Sequence, residues 1–342
     1  MASVTMYAGL DYHQDSIQVC VMDPSARVRV NRACANELGA VVSMLKAAGE
    51  VGAIAMEACC GAADLAEELA AAGSWRVELA HAGYVAKLKG SPDKTDYSDA
   101  RLLADLTRVG YLPRVWLAPR AIRDIRQLVN HRQRLVNQRR DLKLRVGACL
   151  REQRVKIDDA GRWSRRWVDR IKAHGSLSES VRWVIERMLE QIAVISGWVE
   201  QAEERLRQAT EGHAVIGRLR KIEGIGEVTA WWLLGQVGRF DRFRNGKQLA
   251  RYCGLSPRNR SSGSRQADGG LIEGCCEGLR AVLIQAAQRL VRTHERWKAL
   301  AAKLRAKGKA KCVVIAAVAN RWVRSLHHRM VAPAEQAGVV QE

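Results

Sequence analysis

The first 110 residues alternate between strand-like and helix-like segments, and this order restricts the fold more than any other feature. Three strand-like segments at 5–11, 16–23 and 27–33 follow one another across short polar turns. A helical segment, a buried strand at 51–58, another helical segment and a strand at 75–80 come next. Three meandering strands followed by β–α–β units predict a mixed sheet with helices on both faces.

Acidic residues stand at the ends of two of these strands. Asp11 ends the first strand and Glu57 ends the fourth, each after an apolar run. The first and fourth strands of this order lie side by side, so both carboxylates are expected at one edge. Asp96 and Asp99 project from one face at the start of a helix predicted over 95–109. A simpler interpretation, in which these two acids only stabilise a helix N-terminus, stays open.

Four carboxylates at one place would repel one another strongly unless a cation neutralised them. Mg²⁺ or Mn²⁺ suits that role, because hard cations of this kind take oxygen ligands. Two such ions about 4 Å apart stabilise both the attacking and the leaving oxygen in phosphoryl transfer. For Glu57 or Asp11 taken alone, a strand-end acid that faces solvent is the simpler explanation, but the four acids together favour a metal site.

Three segments of this region resemble a known family. MYAGLDYHQ, AMEACCG and KTDYSDARLLADL resemble the three blocks of the DEDD-type insertion-sequence transposases, which include the pilin-gene invertase Piv. The strand order also resembles the ribonuclease-H-like fold of RuvC-type resolvases. The resemblance implies an α/β RuvC-like domain over 1–115, in which Asp11, Glu57, Asp96 and Asp99 are the catalytic, metal-binding acids.

Charge is divided unevenly along the chain. Residues 1–110 hold ten Lys/Arg and fourteen Asp/Glu, a net charge of −4, whereas residues 111–342 hold forty-six and twenty-two, a net charge of +24. A strongly basic body indicates a polyanionic partner, for which nucleic acid is the first expectation. A protein that only binds nucleic acid would explain the basic residues of 111–342 but not the excess of acidic residues in 1–110.

Other compositional features limit the location of the protein. The sequence contains no run of eighteen or more apolar residues, so no membrane span is predicted. The first residues also lack the basic and then apolar pattern of a secretory signal peptide. The nine cysteines include no C-x-x-C pair. We therefore expect reduced thiols, a cytoplasmic, nucleoid-associated location and no membrane partner.

The middle of the chain, 116–215, is predicted to be helical and coiled-coil-like. Between Arg114 and Lys156 there are thirteen Lys/Arg and three Asp/Glu around a narrow apolar seam. A second helix is predicted from about 181 to 206, and the basic, tryptophan-bearing segment 161–176 lies between the two. An antiparallel helix pair of this kind also predicts a dimer or tetramer.

The arginine-rich outside of the first long helix indicates phosphate contacts. The candidates are Arg132, Arg134, Arg139, Arg140 and Arg145. Their spacing does not distinguish DNA from RNA.

The third region, 216–330, is predicted to be mostly α-helical. IEGIGEVTAWWLLGQVG (222–238) has the form of a helix-hairpin-helix, in which Gly224 and Gly226 allow a tight turn and backbone N–H groups bind phosphate. A purely structural corner between two helices is the alternative. Further helices are predicted at 246–252, 279–291 and 311–326, and 331–342 is predicted to be a disordered tail.

The segment RYCGLSPRNRSSG resembles the Ser-Gly block in the second domain of the same family. The resemblance implies that Ser262, before Gly263, attacks a DNA phosphate and that Arg258, Arg260 and Arg265 neutralise it; Ser261 is the alternative nucleophile. A serine hydroxyl needs activation, and this loop contains no histidine. Activation would come from the metal-bound acids if the two domains meet on DNA.

The next segment, GGLIEGCCEGLR, departs from the family pattern. Glu273 stands where a lysine is common, and Cys275 and Cys276 replace a glycine-rich turn. The departure leaves open whether this copy is active, although all four acids and the serine are present.

Taken over nearly the whole chain, the resemblance implies a DNA transposase or site-specific recombinase guided by an element-encoded bridge RNA. Two alternatives stay open: a metal-dependent Holliday-junction-type endonuclease and a non-enzymatic nucleic-acid-binding protein. The sequence gives neither the target site nor the structure of a guide RNA.

Overall fold

The computed structural model describes residues 5–89, 95–156, 161–259 and 268–332. The chain forms two compact units, Met1–Arg120 and Ala121–Glu342. The first is a mixed α/β domain and the second is almost entirely helical, which confirms the predicted fold class at this level. The finer boundaries at 115 and 215 stay predictions. No helix in the described ranges is both long and apolar enough to cross a membrane.

The first unit is built on one six-stranded sheet. Its strands are β1 (Met6–Tyr12), β2 (Ser16–Met22), β3 (Val28–Ala35), β4 (Val51–Glu57), β5 (Arg76–Ala80) and β6 (Arg114–Val115). They lie in the order β3-β2-β1-β4-β5-β6. The first three pair antiparallel, β4 and β5 add parallel to β1, and β6 pairs antiparallel with β5. β6 was not predicted, because two residues carry no periodic signal.

Helices cover both faces of this sheet. They are α1 (Leu38–Ala48), α2 (Ala62–Ala72), α3 (Ala82–Leu88) and α4 (Asp96–Arg108). Side chains alternate between the two faces of a strand. Ala8 and Leu10 of β1 accordingly pack into the core shared with α1 and α2, while Gly9 faces α4.

Gly9 allows α4 to lie directly on the backbone of β1. A Cβ atom at this position would lie 2.1 Å from the carbonyl oxygen of Ala100 and 2.4 Å from the amide nitrogen of Ala104. Both distances are far below van der Waals contact, so any side chain here would push the helix off the strand. The start of α4 is thereby held near the end of β1.

The second unit begins with a long helical hairpin. Its helices are α5 (Arg120–Glu152), α6 (Arg165–Lys172) and α7 (Glu179–Ala209). Arg132 of α5 donates hydrogen bonds to Glu203 of α7. Two turns later in α5, Arg139 donates one to Ser196, which lies earlier in α7, so the two helices run antiparallel. Buried apolar residues from both helices pack around these contacts, and a second buried apolar cluster joins the helices near α6.

The rest of this unit packs around one large core. The helices are α8 (Ala214–Arg220), α9 (Glu227–Val237), α10 (Gly246–Tyr252), α11 (Glu277–Thr293), α12 (Glu295–Ala306) and α13 (Lys311–Val331). Four buried tryptophans lie in this core: Trp231, Trp232, Trp297 and Trp322. They explain much of the tryptophan bias of a chain with only two phenylalanines, since indole rings fill wide gaps between helices.

Three parts of this unit were not predicted as separate elements. A short hairpin of β7 (Pro257–Asn259) and β8 (Asp268–Leu271) forms a two-stranded sheet where the sequence indicates only a loop. The helices α6 and α12 were not predicted either. Residues 333–342, the predicted tail, lie outside the described residues.

The close contact at Gly9 predicts that its substitution lowers the stability of the first unit more than substitution of a glycine that has free space around it. Gly9→Ala is expected to lower the free energy of unfolding by about 1–3 kcal/mol, because the added methyl group overpacks the strand–helix contact. Urea denaturation of the protein measures this change. Gly39→Ala is the matched control, since a Cβ atom there meets nothing within 4 Å. Equal stability of the two variants would contradict the role given to Gly9.

Candidate metal site and nucleic-acid-binding residues

The first turn of α4 is capped by residues other than its aspartates. The Thr95 hydroxyl accepts a hydrogen bond from the Ser98 amide at 3.2 Å, and the Ser98 hydroxyl in turn accepts from the Thr95 amide at 3.3 Å. Capping thus does not require Asp96 or Asp99. Their carboxylates can act elsewhere, although both still benefit from the helix dipole.

Strand register places Asp11 and Glu57 next to each other. Gly9 is paired with Ala55 and Leu10 with Met56 in the parallel β1–β4 ladder, so Asp11 and Glu57 each follow the last registered pair by one residue. Leu10 and Met56 pack toward α1 and α2. Because successive side chains of a strand point to opposite faces of the sheet, Asp11 and Glu57 point toward the face covered by α4. The predicted meeting of two strand-end carboxylates thus has a structural basis.

A cluster of potential metal ligands among the described residues contains a residue that the sequence analysis missed. Ligand atoms of Asp11, His13 and Asp96 all lie within 4.8 Å of one another. The Nε2 atom of His13 lies 3.3 Å from Asp11 Oδ2 and 3.3 Å from Asp96 Oδ1. The sequence pattern could have predicted this position. His13 follows Gly9 and Asp11 at intervals of two residues, the spacing of side chains on one face of a strand.

The remaining acids of the predicted tetrad lie outside this triplet. Asp99 is almost fully buried, and its Oδ2 atom accepts a hydrogen bond from Lys89 Nζ at 2.6 Å. Glu57 is half-buried at the end of β4. All four acids therefore come from the three elements expected to carry them.

Electrostatics confirm that these groups influence one another. Burial raises the pKa of Asp11, and the nearby carboxylates of Asp99 and Asp96 raise it further, while His13 opposes the change. Burial also raises the pKa of the Cys59 thiol, with smaller contributions from Cys60, Glu57 and Asp11. Cys59 therefore stays a neutral thiol and does not add a thiolate to the cluster.

The donor set fits a hard divalent cation. Carboxylate oxygens are the preferred ligands of Mg²⁺ and Mn²⁺, and an imidazole nitrogen is compatible with a transition metal such as Mn²⁺. A cation would also relieve the repulsion that raises the pKa of Asp11. Asp11, His13 and Asp96 are the residues best placed to hold it, with Glu57 and Asp99 nearby.

The predicted serine loop falls largely outside the described residues. Arg260, Ser261, Ser262, Gly263 and Arg265 belong to that part, so their roles stay predictions.

Arg258, at the edge of this loop, is described. It forms an ion pair of 2.9 Å with Glu273, whose side chain is 83% exposed. An ion pair this exposed contributes little stability. A phosphate could therefore displace Glu273 from Arg258 at small cost.

The two cysteines that depart from the family pattern have a packing explanation. Gly254 has φ +71, and a Cβ atom there would lie 2.2 Å from Cys275 Sγ. The Cys275 side chain thus fills the space above a glycine that must be left-handed. Cys276 precedes α11 as its N-cap residue and packs against the core of the second unit.

The predicted phosphate-binding arginines of α5 divide into two groups. Arg132 and Arg139 are half-buried and bind Glu203 and Ser196 of α7. The other three, Arg134, Arg140 and Arg145, are exposed. The first group holds the helical hairpin together, and the second is better placed for a ligand.

The Gly-Ile-Gly turn lies between α8 and α9. Gly224 has φ +82, and Gly226 is the N-cap of α9 with no side chain capping it. Glu227 follows at the first helical position, 3.5 Å from Arg207 and 3.9 Å from Arg220. A phosphate at this N-terminus would have to compete with that carboxylate for the two arginines.

Models of known protein families match parts of both units. The IS110-type DEDD model, described as "Transposase", matches residues 8–154, and a model described as "Transposase IS116/IS110/IS902 family" matches residues 217–302. This chain belongs to the IS110-type family of DEDD transposases. The first matched range contains all four predicted acids and His13, and the second contains the Gly-Ile-Gly turn and the serine loop.

Individual relatives agree with this assignment. The transposase for insertion sequence element IS1111A of Coxiella burnetii is 26% identical over 294 residues, covering 83% of this chain and 77% of that protein. The "Probable family 20 transposase" of Pseudomonas aeruginosa is 27% identical over 245 residues, covering 70% and 71%. The transposase for IS1328 of Yersinia enterocolitica is 24% identical over 237 residues, covering 69% and 70%.

His13 provides a direct test of the metal site in this transposase. His13→Ala is expected to weaken Mn²⁺ binding at least about tenfold, since it removes one of three converging ligand atoms. Asp96→Asn should weaken it similarly, as measured by titration calorimetry. Asp105→Asn is the control, because Asp105 lies on the same helix but bonds Arg108. The assignment fails if all three variants bind Mn²⁺ as the unmodified protein does.

Proposed function

We propose that this insertion-sequence transposase binds Mg²⁺ or Mn²⁺ at its acidic cluster and cuts and exchanges DNA strands with Ser262 as the nucleophile. The observation that carries the proposal is the convergence of Asp11, His13 and Asp96 in the region matched by the DEDD family model. A bound divalent cation supplies charge neutralisation for a phosphate undergoing displacement. The protein's own carboxylates and imidazole fix the position of that charge.

The serine step follows from the resemblance of RYCGLSPRNRSSG to the family block. The Ser262 oxygen forms a bond to a DNA phosphorus as the bond from phosphorus to the deoxyribose 3′ oxygen breaks. In the net balance the serine hydroxyl releases a proton and the departing 3′ oxygen takes one up. The product is a 5′-phosphoserine ester, and the reverse step with another 3′-hydroxyl joins a new strand.

Arginines of the same loop are proposed to stabilise the phosphate. Arg258, Arg260 and Arg265 would offer charge-assisted hydrogen bonds to its oxygens. Arg258 belongs to β7 of the hairpin that flanks the loop, and its exposed partner Glu273 is easily displaced.

The proposed partners are DNA at donor and target sites, an element-encoded guide RNA and further copies of the chain. The +24 charge of residues 111–342 supports binding to a polyanion. Exposed Arg134, Arg140 and Arg145 are proposed phosphate contacts. The Gly224–Gly226 turn is proposed to act as a helix-hairpin-helix. The guide RNA rests on resemblance to the family alone, and the oligomer rests on the coiled-coil-like helix pair.

Covalent capture tests the nucleophile. Incubation with labelled donor DNA and Mg²⁺ should give a protein–DNA adduct on a denaturing gel, and Ser262→Ala should abolish it. Ser261→Ala is the matched control, since it removes a neighbouring hydroxyl and should leave the adduct. The reverse pattern would move the nucleophile to Ser261. Cleaved DNA without any adduct would favour a junction endonuclease that uses water.

Neutralising single acids tests the metal-dependent step. Asp96→Asn and Asp99→Asn are expected to reduce recombination at least about 100-fold, with DNA binding nearly intact. Asp96 is exposed, so its substitution leaves packing unchanged, whereas Asp99→Asn also removes the partner of Lys89. Melting temperatures therefore accompany the assay. Normal recombination by a folded Asp96→Asn protein would favour a role in binding alone.

A further inference from the structure

The short helix α6 carries a group of positive charges on one side only. Trp167 and Ile171 turn inward and are fully buried in the core of the helical hairpin. The outward side chains Arg165, Arg166, Arg170 and Lys172 are all exposed. A single acid, Asp169, lies among them. The helix therefore presents an almost wholly cationic outer face, which we name the α6 face.

None of these four cations forms an ion pair with a described residue. Some other exposed arginines of the hairpin do, since Arg187 pairs with Glu190 and Arg207 with Glu204 on α7. Arg166 and Arg170 stand four residues apart, a spacing at which like charges destabilise a helix. Asp169, four residues after Arg165 and three after Arg166, offsets only part of this repulsion, so the outer side of the helix keeps a net positive charge.

The α6 face is held rigidly at both ends. Before the helix, the Ser164 hydroxyl caps the Trp167 amide, and Trp163 adopts φ +72. After the helix, Arg182 of α7 donates hydrogen bonds to the carbonyl oxygens of Lys172 and, at 2.9 Å, His174. The backbone that carries the four exposed side chains is thus held in place before any ligand arrives, which lowers the entropy lost on binding.

Aromatic rings beside the α6 face are occupied by other cations. Lys143 Nζ lies 4.8 Å from the centroid of the Trp163 ring, and the Trp163 and Trp167 rings lie 4.8 Å apart. Proteins that bind single strands use free ring faces to stack bases. With these rings engaged, the face offers charge without a stacking platform, which suits a phosphate backbone.

We propose that the α6 face, formed by Arg165, Arg166, Arg170 and Lys172, binds the phosphate backbone of a nucleic-acid duplex independently of its base sequence. The inference deepens the proposed function, on which it rests for the presence of nucleic acid, and it adds a contact separate from the arginines of α5. A DNA duplex and an RNA stem offer the same phosphate chemistry, so the experiment compares both.

The test measures how binding depends on salt. Affinities for short DNA and RNA duplexes of one arbitrary sequence are measured by fluorescence anisotropy between about 50 and 200 mM salt. Metal is omitted, so the result does not depend on cleavage by Ser262. Each phosphate contact contributes about 0.9 to the slope of log K against log salt. The triple variant Arg165→Gln, Arg166→Gln, Arg170→Gln should therefore lower the slope by about 2 to 3 for at least one duplex.

Two matched variants make the result specific. Replacing the same three arginines with lysine keeps the charges and should keep the slope. Replacing three exposed cations of the first unit with glutamine, at Arg27, Arg32 and Lys46, removes equal charge elsewhere and should also keep it. A lower slope with DNA only or RNA only identifies the source of the phosphates. An unchanged slope with both duplexes in a folded triple variant, or an equal loss in the first-unit control, would overturn the proposal.

Discussion

The candidate metal site depends on the direct contact between α4 and β1. Gly9 has no side chain, so the backbone of Ala100 and Ala104 rests on the strand. This contact brings Asp96 within reach of Asp11 and His13, although more than eighty residues separate them in the chain. A shift of α4 by the width of one methyl group would separate the ligands, because the ligand atoms lie only a few ångströms apart.

The strands contribute to the same site through their alternation. Asp11 and Glu57 follow apolar residues that face α1 and α2, and the opposite parity turns both acids toward α4. Side-chain packing on one face of the sheet thus fixes the position of the charged groups on the other. Burial and the neighbouring carboxylates disfavour the charged form of Asp11, whose pKa is raised. A bound cation would offset this effect by stabilising the negative charge.

In the second unit, charged residues serve two different purposes. Arg132 and Arg139 connect α5 with α7 and are half-buried, as expected of residues that hold a helix pair together. The exposed arginines of α5 and the α6 face have no such structural task within the hairpin. The distinction is one of burial and partners, and sequence spacing alone does not reveal it.

The sequence by itself determined the order of the elements in the first unit, the two long helices and the family, because periodic apolar patterns and short motifs are local. It also identified four acids, since each stands at the predicted end or start of an element. Only the tertiary structure brought His13 between Asp11 and Asp96, paired Lys89 with Asp99, and divided the basic residues into structural and exposed groups. It also added β6, β7, β8, α6 and α12. These features depend on contacts between residues distant in the chain, whose geometry is set by packing and not by local periodicity.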